Sequence, residues 1–209
     1  MSSGRPILCL VTDRKSARGA LAEIAAAAVR GGVDWVQVRE KDLDGAPLLA
    51  LVREVMAAVR AVNPSARVLV NRRVDVALAA SADGVHLGFD ALPLAEARAL
   101  LGADALLGVS AHSTHEVAAA VGSGASYAHL APIFAPSSKP ASREPLAVSA
   151  LREAARAGIP VIAQGGIDAQ RAGDCVRAGA AGVAVTGALC AADDPEGAAR
   201  QLRRALDGA

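Results

Sequence analysis

The chain has 209 residues, of which 53% are hydrophobic and only 2% aromatic, and 22 basic against 21 acidic residues give a formal net charge of +1. This length favours a single domain over residues 1–209, with a core of aliphatic side chains. The near-neutral charge, without a basic block, argues against nucleic acid as a partner. The apolar runs are well short of the roughly 20 residues that span a bilayer, and the first residues lack signal-peptide features, so we expect a cytoplasmic protein.

Strand-like and helix-like segments alternate along the whole chain, and eight rounds can be counted. The strand-like runs are short and continuously apolar, as parallel strands covered on both faces are. They are predicted at Ile7–Val11, Trp35–Arg39, Val68–Asn71, Gly84–Leu87, Leu107–Ser110, Tyr127–Leu130, Pro160–Ala163 and Gly182–Val185. Between them lie Ala-rich segments predicted as helices, such as Ala20–Arg30, Pro47–Val62, Pro93–Leu101 and His115–Val121.

Several strand entries resemble one another, as in GGVDWVQV, ADGVHL, ASYAHL and AAGVAV. Such similarity between segments indicates a repeated βα unit. Eight units in a chain of 209 residues favour closure of the sheet, so the predicted fold is α/β, a single (β/α)8 TIM barrel. The segment Pro136–Ser142 is a long loop after the sixth strand, and long βα loops are often functional. Cys9, Cys175 and Cys190 form no metal motif and are interpreted as buried structural thiols.

Polar residues follow most of the predicted strands, and the carboxyl ends of barrel strands line the active face. Cations outnumber carboxylates among them, which predicts an anionic ligand, and a phosphate ester fits best. In strand order these residues are Thr12 and Asp13; Gln37, Arg39 and Lys41; Asn71, Arg72 and Arg73; His86, Phe89 and Asp90; Ser110 and His112; Ser137, Ser138 and Lys139; Gln164, Gly165 and Gly166; Thr186 and Gly187.

The second strand carries Gln37, Arg39 and Lys41 at a period of two, which places them on one side of an extended chain, pointing into the barrel mouth. The interleaved Glu40 and Asp42 leave open the alternative of a solvated charged loop.

Two glycine-containing turns are predicted to bind phosphate through backbone N–H groups. Gly165 and Gly166 follow the seventh strand, Thr186 and Gly187 follow the eighth, and helix starts after these strands are common phosphate sites. Lys139 is the candidate loop lysine that closes over the phosphate.

Histidine is the first candidate for proton transfer, because its charge changes near neutral pH. His112 follows the fifth strand and fits that role. His86 and His129 fall within strands and are interpreted as hydrogen-bonded core histidines. Four histidines without carboxylates at ligand spacing do not predict a zinc site.

The segments above resemble the thiamin phosphate synthase family, which includes the TenI-type thiazole tautomerases. The resemblance covers nearly the whole chain and independently implies the barrel. It rests on VTD at Val11–Asp13, VQVREKD at Val36–Asp42, VNRRVDVALA at Val70–Ala79, ADGVHLG at Ala82–Gly88, GVSAH at Gly108–His112, APIF followed by SSK, and QGGI at Gln164–Ile167.

The chain departs from the synthase pattern where a magnesium ion would bind. Synthases of this family hold Mg²⁺ with two aspartates, one after the third strand and one after the fourth. Here the first position is Arg72 and the second is Ala91, with Asp90 one place early. The phosphate-loop threonine of the synthases is replaced by Pro136. Because Mg²⁺ needs hard oxygen ligands, these replacements favour the metal-independent tautomerase branch.

The resemblance therefore implies a thiazole tautomerase, an isomerase that aromatises a thiazole phosphate carboxylate without cofactor or metal. His112, Arg39 and Lys41 would be catalytic. The other implied contacts are to substrate through Gln37, Asn71, Arg72, Ser110, Ser138, Lys139 and Gln164, and to phosphate through Gly165, Gly166, Thr186 and Gly187.

Three alternatives remain open at this stage. The first is a thiamin phosphate synthase, a transferase that couples a pyrimidine methyl diphosphate to a thiazole phosphate with an altered Mg²⁺ site. The second is a non-catalytic relative that binds pathway ligands, and the third is a barrel of another phosphate-binding family. The residues also leave open whether Asp13, Asp75 or Asp90 rebuilds a metal site, and whether the chain is a monomer or a homodimer.

Overall fold

The computed structural model describes residues 4–88, 91–135 and 143–209. Eight parallel strands close into a barrel in sequence order, with β1 hydrogen-bonded to both β2 and β8. The strands are β1 (Ile7–Val11), β2 (Trp35–Val38), β3 (Arg67–Asn71), β4 (Gly84–Leu87), β5 (Leu106–Ala111), β6 (Tyr127–Leu130), β7 (Val161–Gln164) and β8 (Gly182–Val185). The predicted TIM barrel is confirmed, and the predicted strand limits hold to within one residue.

Helices alternate with these strands and surround the barrel. They are α1 (Leu21–Arg30), α2 (Gly45–Val62), α3 (Val74–Ala80), α4 (Leu94–Leu101), α5 (Thr114–Val121), α6 (Ser149–Ala154), α7 (Ala169–Arg177), α8 (Gly187–Cys190) and α9 (Pro195–Asp207), with a 3₁₀ turn at Ala155–Ala157. Asp44, Ser113, Asp168 and Asp194 cap α2, α5, α7 and α9 through their side chains. In the described ranges, no helix is long and apolar enough to cross a membrane.

Two apolar cores hold the barrel together. The larger one lies between the outward side chains of the strands and the inner faces of the helices, and it is built mainly from Val, Leu, Ile and Ala. The smaller one lies inside the barrel and contains Cys9, Val11, Leu69, Tyr127, Ile162 and Ala184. Cys9, Cys175 and Cys190 are all buried and unbridged, which confirms their interpretation as structural thiols.

Inward side chains are arranged in layers, because the register shifts by about one residue per strand around a barrel of this type. Following the pairings around the barrel places Gln37, His86, His129 and Ala184 in one layer. The layer above it, nearer the carboxyl ends, holds Val11, Asn71, Ser110 and Gln164. Polar side chains therefore replace apolar ones as the interior approaches the mouth.

One glycine makes room for the only tyrosine of the chain. A Cβ on Gly108 would lie 2.1 Å from Cζ and 2.3 Å from Oη of Tyr127, which is far inside van der Waals contact. The Tyr127 ring also meets Trp35 edge-on, with ring centroids 5.0 Å apart. Glycine at this inward position therefore lets a large ring occupy the barrel axis.

The lower end, where the strands begin, is held by side chains that cap backbone N–H groups. Asp34, just before β2, accepts a hydrogen bond from the N–H of Leu8 at 2.8 Å, and Asp83, just before β4, accepts one from Val68 at 2.8 Å. Ser126, just before β6, accepts one from Leu107 at 3.1 Å. In three of the four units with similar strand entries, the residue just before the strand thus caps a backbone N–H near the start of the preceding strand.

Candidate active site

Two buried hydrogen-bond acceptors face the upper interior from opposite strands. Gln37 Nε2 on β2 donates to Asn71 Oδ1 at 3.1 Å, and its Oε1 has no partner among the described residues. On β6, His129 Nδ1 lies 3.2 Å from Gln164 Oε1, and its Nε2 likewise has no partner within the described ranges. Gln37 is 2% and His129 1% exposed. Both acceptors are buried without a donor from the described residues, which is costly, so a hydrogen-bond donor that reached either atom would stabilise it.

Burial keeps the His129 ring neutral, since it lowers the pKa from 6.5 to about 4 despite the hydrogen bond to Gln164. With Nδ1–H donating to the Gln164 carbonyl oxygen, Nε2 of the neutral ring is an acceptor. The prediction that His129 is a fully hydrogen-bonded core histidine is therefore only half right.

His86 lies beside His129, with ring centroids 4.3 Å apart, and both of its nitrogens have partners. Nδ1 lies 3.1 Å from the hydroxyl of Tyr127, and Nε2 lies 2.9 Å from the hydroxyl of Ser110. Burial lowers the His86 pKa well below 6.5, and the neighbouring His129 and Arg39 lower it further. The prediction of a hydrogen-bonded core histidine holds for this residue.

Arg39 and Lys41 lie beyond the end of β2, which stops at Val38. Arg39 is half-buried directly after β2, and its positive charge contributes to the lowered pKa of His86. Lys41 is exposed in a turn, so the alternation expected for one strand ends before it. Two residues that follow β1 stabilise this turn, because Arg14 and Lys15 both form ion pairs with Asp42, at 2.7 and 3.2 Å.

Glu40 is a buried carboxylate that the sequence pattern did not assign to the site. It accepts a hydrogen bond from the Thr12 hydroxyl at 2.6 Å and another from the Arg14 N–H at 3.1 Å. The Thr12 oxygen in turn accepts the N–H of Arg39 at 2.9 Å. These bonds join the ends of β1 and β2 and fix the backbone that presents Arg39. No local signal could have revealed Glu40, because Asp42 has the same alternation and is exposed.

His112 follows β5 and is held at two points. Its Nδ1 lies 2.6 Å from the carbonyl oxygen of Ala131 and its N–H donates to Glu116 at 2.6 Å. The carbonyl can only accept, so Nδ1 carries a hydrogen and Nε2 carries the lone pair in the neutral ring. This orientation is compatible with a base or acid role for the predicted proton-transfer histidine.

The turn after β7 requires both of its glycines. Gly165 and Gly166 have φ of +97° and +61°, a region that side chains rarely adopt. A Cβ on Gly166 would also lie 2.4 Å from the carbonyl oxygen of Ala135, which follows β6. After β8, Thr186 is half-buried and Gly187 is exposed at the start of α8. The structure therefore brings the two predicted phosphate turns to the same end of the barrel.

The residues around the family's magnesium position do not suit a divalent cation in the described ranges. Arg72 is exposed, has φ of +65° and donates its N–H to the carbonyl of His86 at 2.8 Å. Asp75 is ion-paired with Arg73 at the start of α3, as expected of a structural aspartate, and Ala91 is half-buried. Among the described residues, no group of three acidic, histidine or cysteine side chains could hold a metal.

Several residues singled out in the sequence lie outside the described ranges. They are Phe89 and Asp90 after β4, and the loop residues Pro136, Ser137, Ser138, Lys139 and Ser142.

A (β/α)8 barrel with cationic and hydrogen-bonding residues around its mouth is the class of protein that this fold and site define. The sequence profile described as thiamine monophosphate synthase matches residues 8–189. The chain belongs to this family, as the resemblance predicted.

Similar proteins cover almost the entire chain. A thiamine-phosphate synthase of Chloroflexus aurantiacus is 44% identical over 94% of this chain and 90% of its own length. Another from Roseiflexus is 39% identical over 99% of this chain and 88% of its own. Among solved structures, a thiamine phosphate pyrophosphorylase from Pyrococcus furiosus superposes with a TM-score of 0.86 at 28% identity, covering 97% of this chain and 96% of its own.

These relatives bear the synthase name, so they do not support the tautomerase that the missing aspartates suggested. They place the chain among enzymes of thiamin biosynthesis whose substrates are small molecules.

Proposed function

We propose that the chain is a thiamine-phosphate synthase. In this reaction, the ring nitrogen of a thiazole phosphate forms a bond to the methylene carbon of a pyrimidine methyl diphosphate. The carbon–oxygen bond to the diphosphate breaks, and the diphosphate leaves with the electron pair. The names of the relatives that are 39–44% identical support this choice over the tautomerase.

The observation that carries the proposal is the pair of buried acceptors, Gln37 Oε1 and His129 Nε2. The pyrimidine of thiamin carries an exocyclic amino group with two hydrogens, which can satisfy acceptors that face it. A thiazole phosphate carboxylate offers no such amino group. The barrel interior therefore suits the substrate that only the synthase uses, since specificity is greatest where a ligand satisfies buried polar atoms.

The cations of the mouth are placed to neutralise the departing diphosphate. Arg39 directly follows β2, two residues beyond Gln37 and so nearer the mouth. In the proposed mode of binding, the diphosphate attached to the pyrimidine lies beside it. Lys41 extends the positive charge towards solvent. Preorganised cations of this kind stabilise charge that develops in the transition state. The thiazole phosphate would bind the backbone of Gly165, Gly166 and Gly187 and the hydroxyl of Thr186.

Magnesium commonly supplies this neutralisation in diphosphate chemistry. The described residues near Arg72 and Ala91 do not fit the ion, because a guanidinium repels it and a methyl group cannot ligate it. The proposal therefore places the charge of the diphosphate on Arg39 and Lys41.

The test is formation of thiamin phosphate from the two substrates by the purified chain, with Mg²⁺ and with a chelator. We expect product, and we expect Arg39→Met to form it much more slowly while the exposed control Arg67→Met, at the lower end, keeps the rate of the unmodified chain. Binding of both substrates without coupling would overturn the proposal and support the non-catalytic alternative.

One observation favours the tautomerase as a second candidate. His112 is held by Ala131 and Glu116 so that its Nε2 carries the lone pair, as a proton-transfer histidine requires. In this case the chain would aromatise the thiazole carboxylate without metal, and His112→Asn would abolish that activity. The control is the exposed His115→Asn, three residues further on. An unchanged rate of aromatisation in His112→Asn would exclude this role.

A further inference from the structure

A buried chain of hydrogen bonds runs upward through the barrel from Tyr127 to Ser110. The Tyr127 hydroxyl lies 3.1 Å from His86 Nδ1, and His86 Nε2 lies 2.9 Å from Ser110 Oγ. Tyr127 is fully buried and His86 is 2% exposed, whereas Ser110 is half-buried one layer nearer the mouth. This series of hydrogen bonds therefore connects the closed interior to the half-buried layer near the mouth.

The direction of the hydrogens in this chain follows from its buried end. The Tyr127 hydroxyl carries one hydrogen, and its hydrogen-bond partner in the described part of the molecule is His86 Nδ1. Burial raises the Tyr127 pKa well above 10, so this hydrogen is retained, and the lowered pKa of His86 keeps its ring neutral. If Nδ1 carried the ring hydrogen, the phenol hydrogen would be buried without an acceptor, at a cost of about 1–3 kcal/mol.

The tautomer that avoids this cost has its ring hydrogen on Nε2. The Tyr127 hydroxyl then donates to His86 Nδ1, and His86 Nε2–H donates to Ser110 Oγ. Ser110 Oγ therefore accepts the hydrogen bond from His86, and the hydrogen of the Ser110 hydroxyl points away from His86. This arrangement is the reverse of a nucleophilic serine, in which the hydroxyl donates its hydrogen to histidine.

We propose that Tyr127 and His86 are positioning residues that set Ser110 as a hydrogen-bond donor to an anionic oxygen of the substrate at the mouth. The identity of that oxygen as part of the diphosphate rests on the proposed synthase function. The direction of the donor chain does not, because it follows from the groups of the protein alone. Charge-assisted bonds from a fixed hydroxyl to such an oxygen are among the stronger neutral-donor interactions.

The neighbouring histidine provides an internal reference. His129 Nδ1 donates to Gln164, so its ring hydrogen lies on Nδ1, the opposite tautomer to that of His86. Two neutral histidines with centroids 4.3 Å apart are thus expected to hold opposite tautomers.

The first experiment is ¹⁵N NMR of the histidine ring nitrogens in the intact protein at neutral pH, without substrate. His86→Gln and His129→Gln assign the two sets of signals. We expect His86 to be protonated at Nε2 and unprotonated at Nδ1, and Tyr127→Phe to shift its population towards the other tautomer. A hydrogen on His86 Nδ1 in the unmodified protein overturns the proposal, and this readout does not depend on any activity.

The second experiment is a double-mutant cycle of Tyr127→Phe and Ser110→Ala with the pyrimidine diphosphate and thiazole phosphate. Each single variant is expected to lower kcat about tenfold, the effect of one hydrogen bond to a charged group, with little change in KM. The double variant is expected to lose no more than either single one, because both remove the same donor. Independent, multiplicative losses would overturn the proposal. Absence of coupling by the unmodified protein, with the expected tautomers present, would instead contradict only the synthase function.

Discussion

The two ends of the barrel use polar side chains for different purposes. At the lower end, Asp34 accepts hydrogen bonds from the Leu8 N–H and from Arg203 of α9, at 2.8 and 3.0 Å. Asp83 similarly binds the Val68 N–H and the Arg67 guanidinium, at 2.8 and 2.9 Å. The carboxylates at this end accept hydrogen bonds from donors of the protein itself.

In the described part of the chain, the buried atoms that lack a partner differ between the two ends: at the lower end one is a donor, Nε of Arg203, and at the upper end they are acceptors. Gln37 Oε1 and His129 Nε2 lack donors among the described residues, although each side chain is anchored by its other polar atom. The lower end thus stabilises the closed sheet, whereas the upper end keeps two acceptors without donors from the described ranges, at some expense in stability. This division is general in barrels of this type, whose active sites lie at the carboxyl ends of the strands.

The largest expected effect comes from removing a cation at the mouth. Arg39→Met should lower kcat/KM for coupling by about a hundredfold to a thousandfold, the usual effect of losing one preorganised charge-stabilising donor. Arg67→Met removes a guanidinium at the lower end and should leave kcat/KM unchanged. Steady-state kinetics of both variants test the contrast, and similar losses in the two would contradict it.

Acid should destabilise the fold through the buried histidines of the upper end. The His129 pKa is about 4 in the folded chain and 6.5 when unfolded, so only the unfolded state gains a proton as the pH falls from about 6.5 to 4. The free energy of unfolding should therefore fall by about 3 kcal/mol over this window from His129 alone. Lowering of the His86 pKa adds to the loss.

Urea denaturation at pH 7 and pH 4.5 measures this dependence. His129→Gln should be less sensitive to acid than the unmodified chain. The exposed control His115→Gln should be as sensitive to acid as the unmodified chain. An equal acid effect in His129→Gln and the unmodified chain would show that His129 is not buried in the neutral form.

The lower end is expected to affect stability without affecting chemistry. Asp34→Ala should reduce the free energy of unfolding by about 2 kcal/mol, because Arg203, with its side chain 6% exposed, would lose a charged partner. Asp193, whose side chain is 86% exposed, provides the control Asp193→Ala, with little effect expected. Urea denaturation gives both values, and kcat at 25 °C should be the same in both variants. A loss of kcat in Asp34→Ala at full folding would break the division between the ends.

The smallest effect concerns one buried acceptor. His129→Leu introduces an apolar side chain of similar volume and removes Nε2 together with the Nδ1 bond to Gln164, and it should raise KM for the pyrimidine diphosphate about tenfold. KM for the thiazole phosphate should not change, since that substrate is expected at the glycine turns. A parallel increase in both constants would place the amino group elsewhere.

Local sequence patterns were sufficient for much of this molecule. The eight apolar runs are short and continuous because their strands are buried on both faces, so their limits could be predicted to within one residue. The similar strand entries reflected a repeated side-chain cap of a backbone N–H group, with Asp34, Asp83 and Ser126 in equivalent places. Polar residues after strands could be assigned to the mouth because all parallel strands end there.

The sequence by itself therefore determined the barrel and the family, and it predicted which polar residues follow the strands. Only the tertiary structure decided which of these residues touch. Gln37 and His129 are 92 positions apart, and they share a layer because the register shifts around a closed barrel. Glu40 was indistinguishable from a solvated charge until β1 brought Thr12 to it. Hydrogen bonds and burial depend on neighbours across the barrel, and those neighbours are set by closure of the sheet rather than by local sequence.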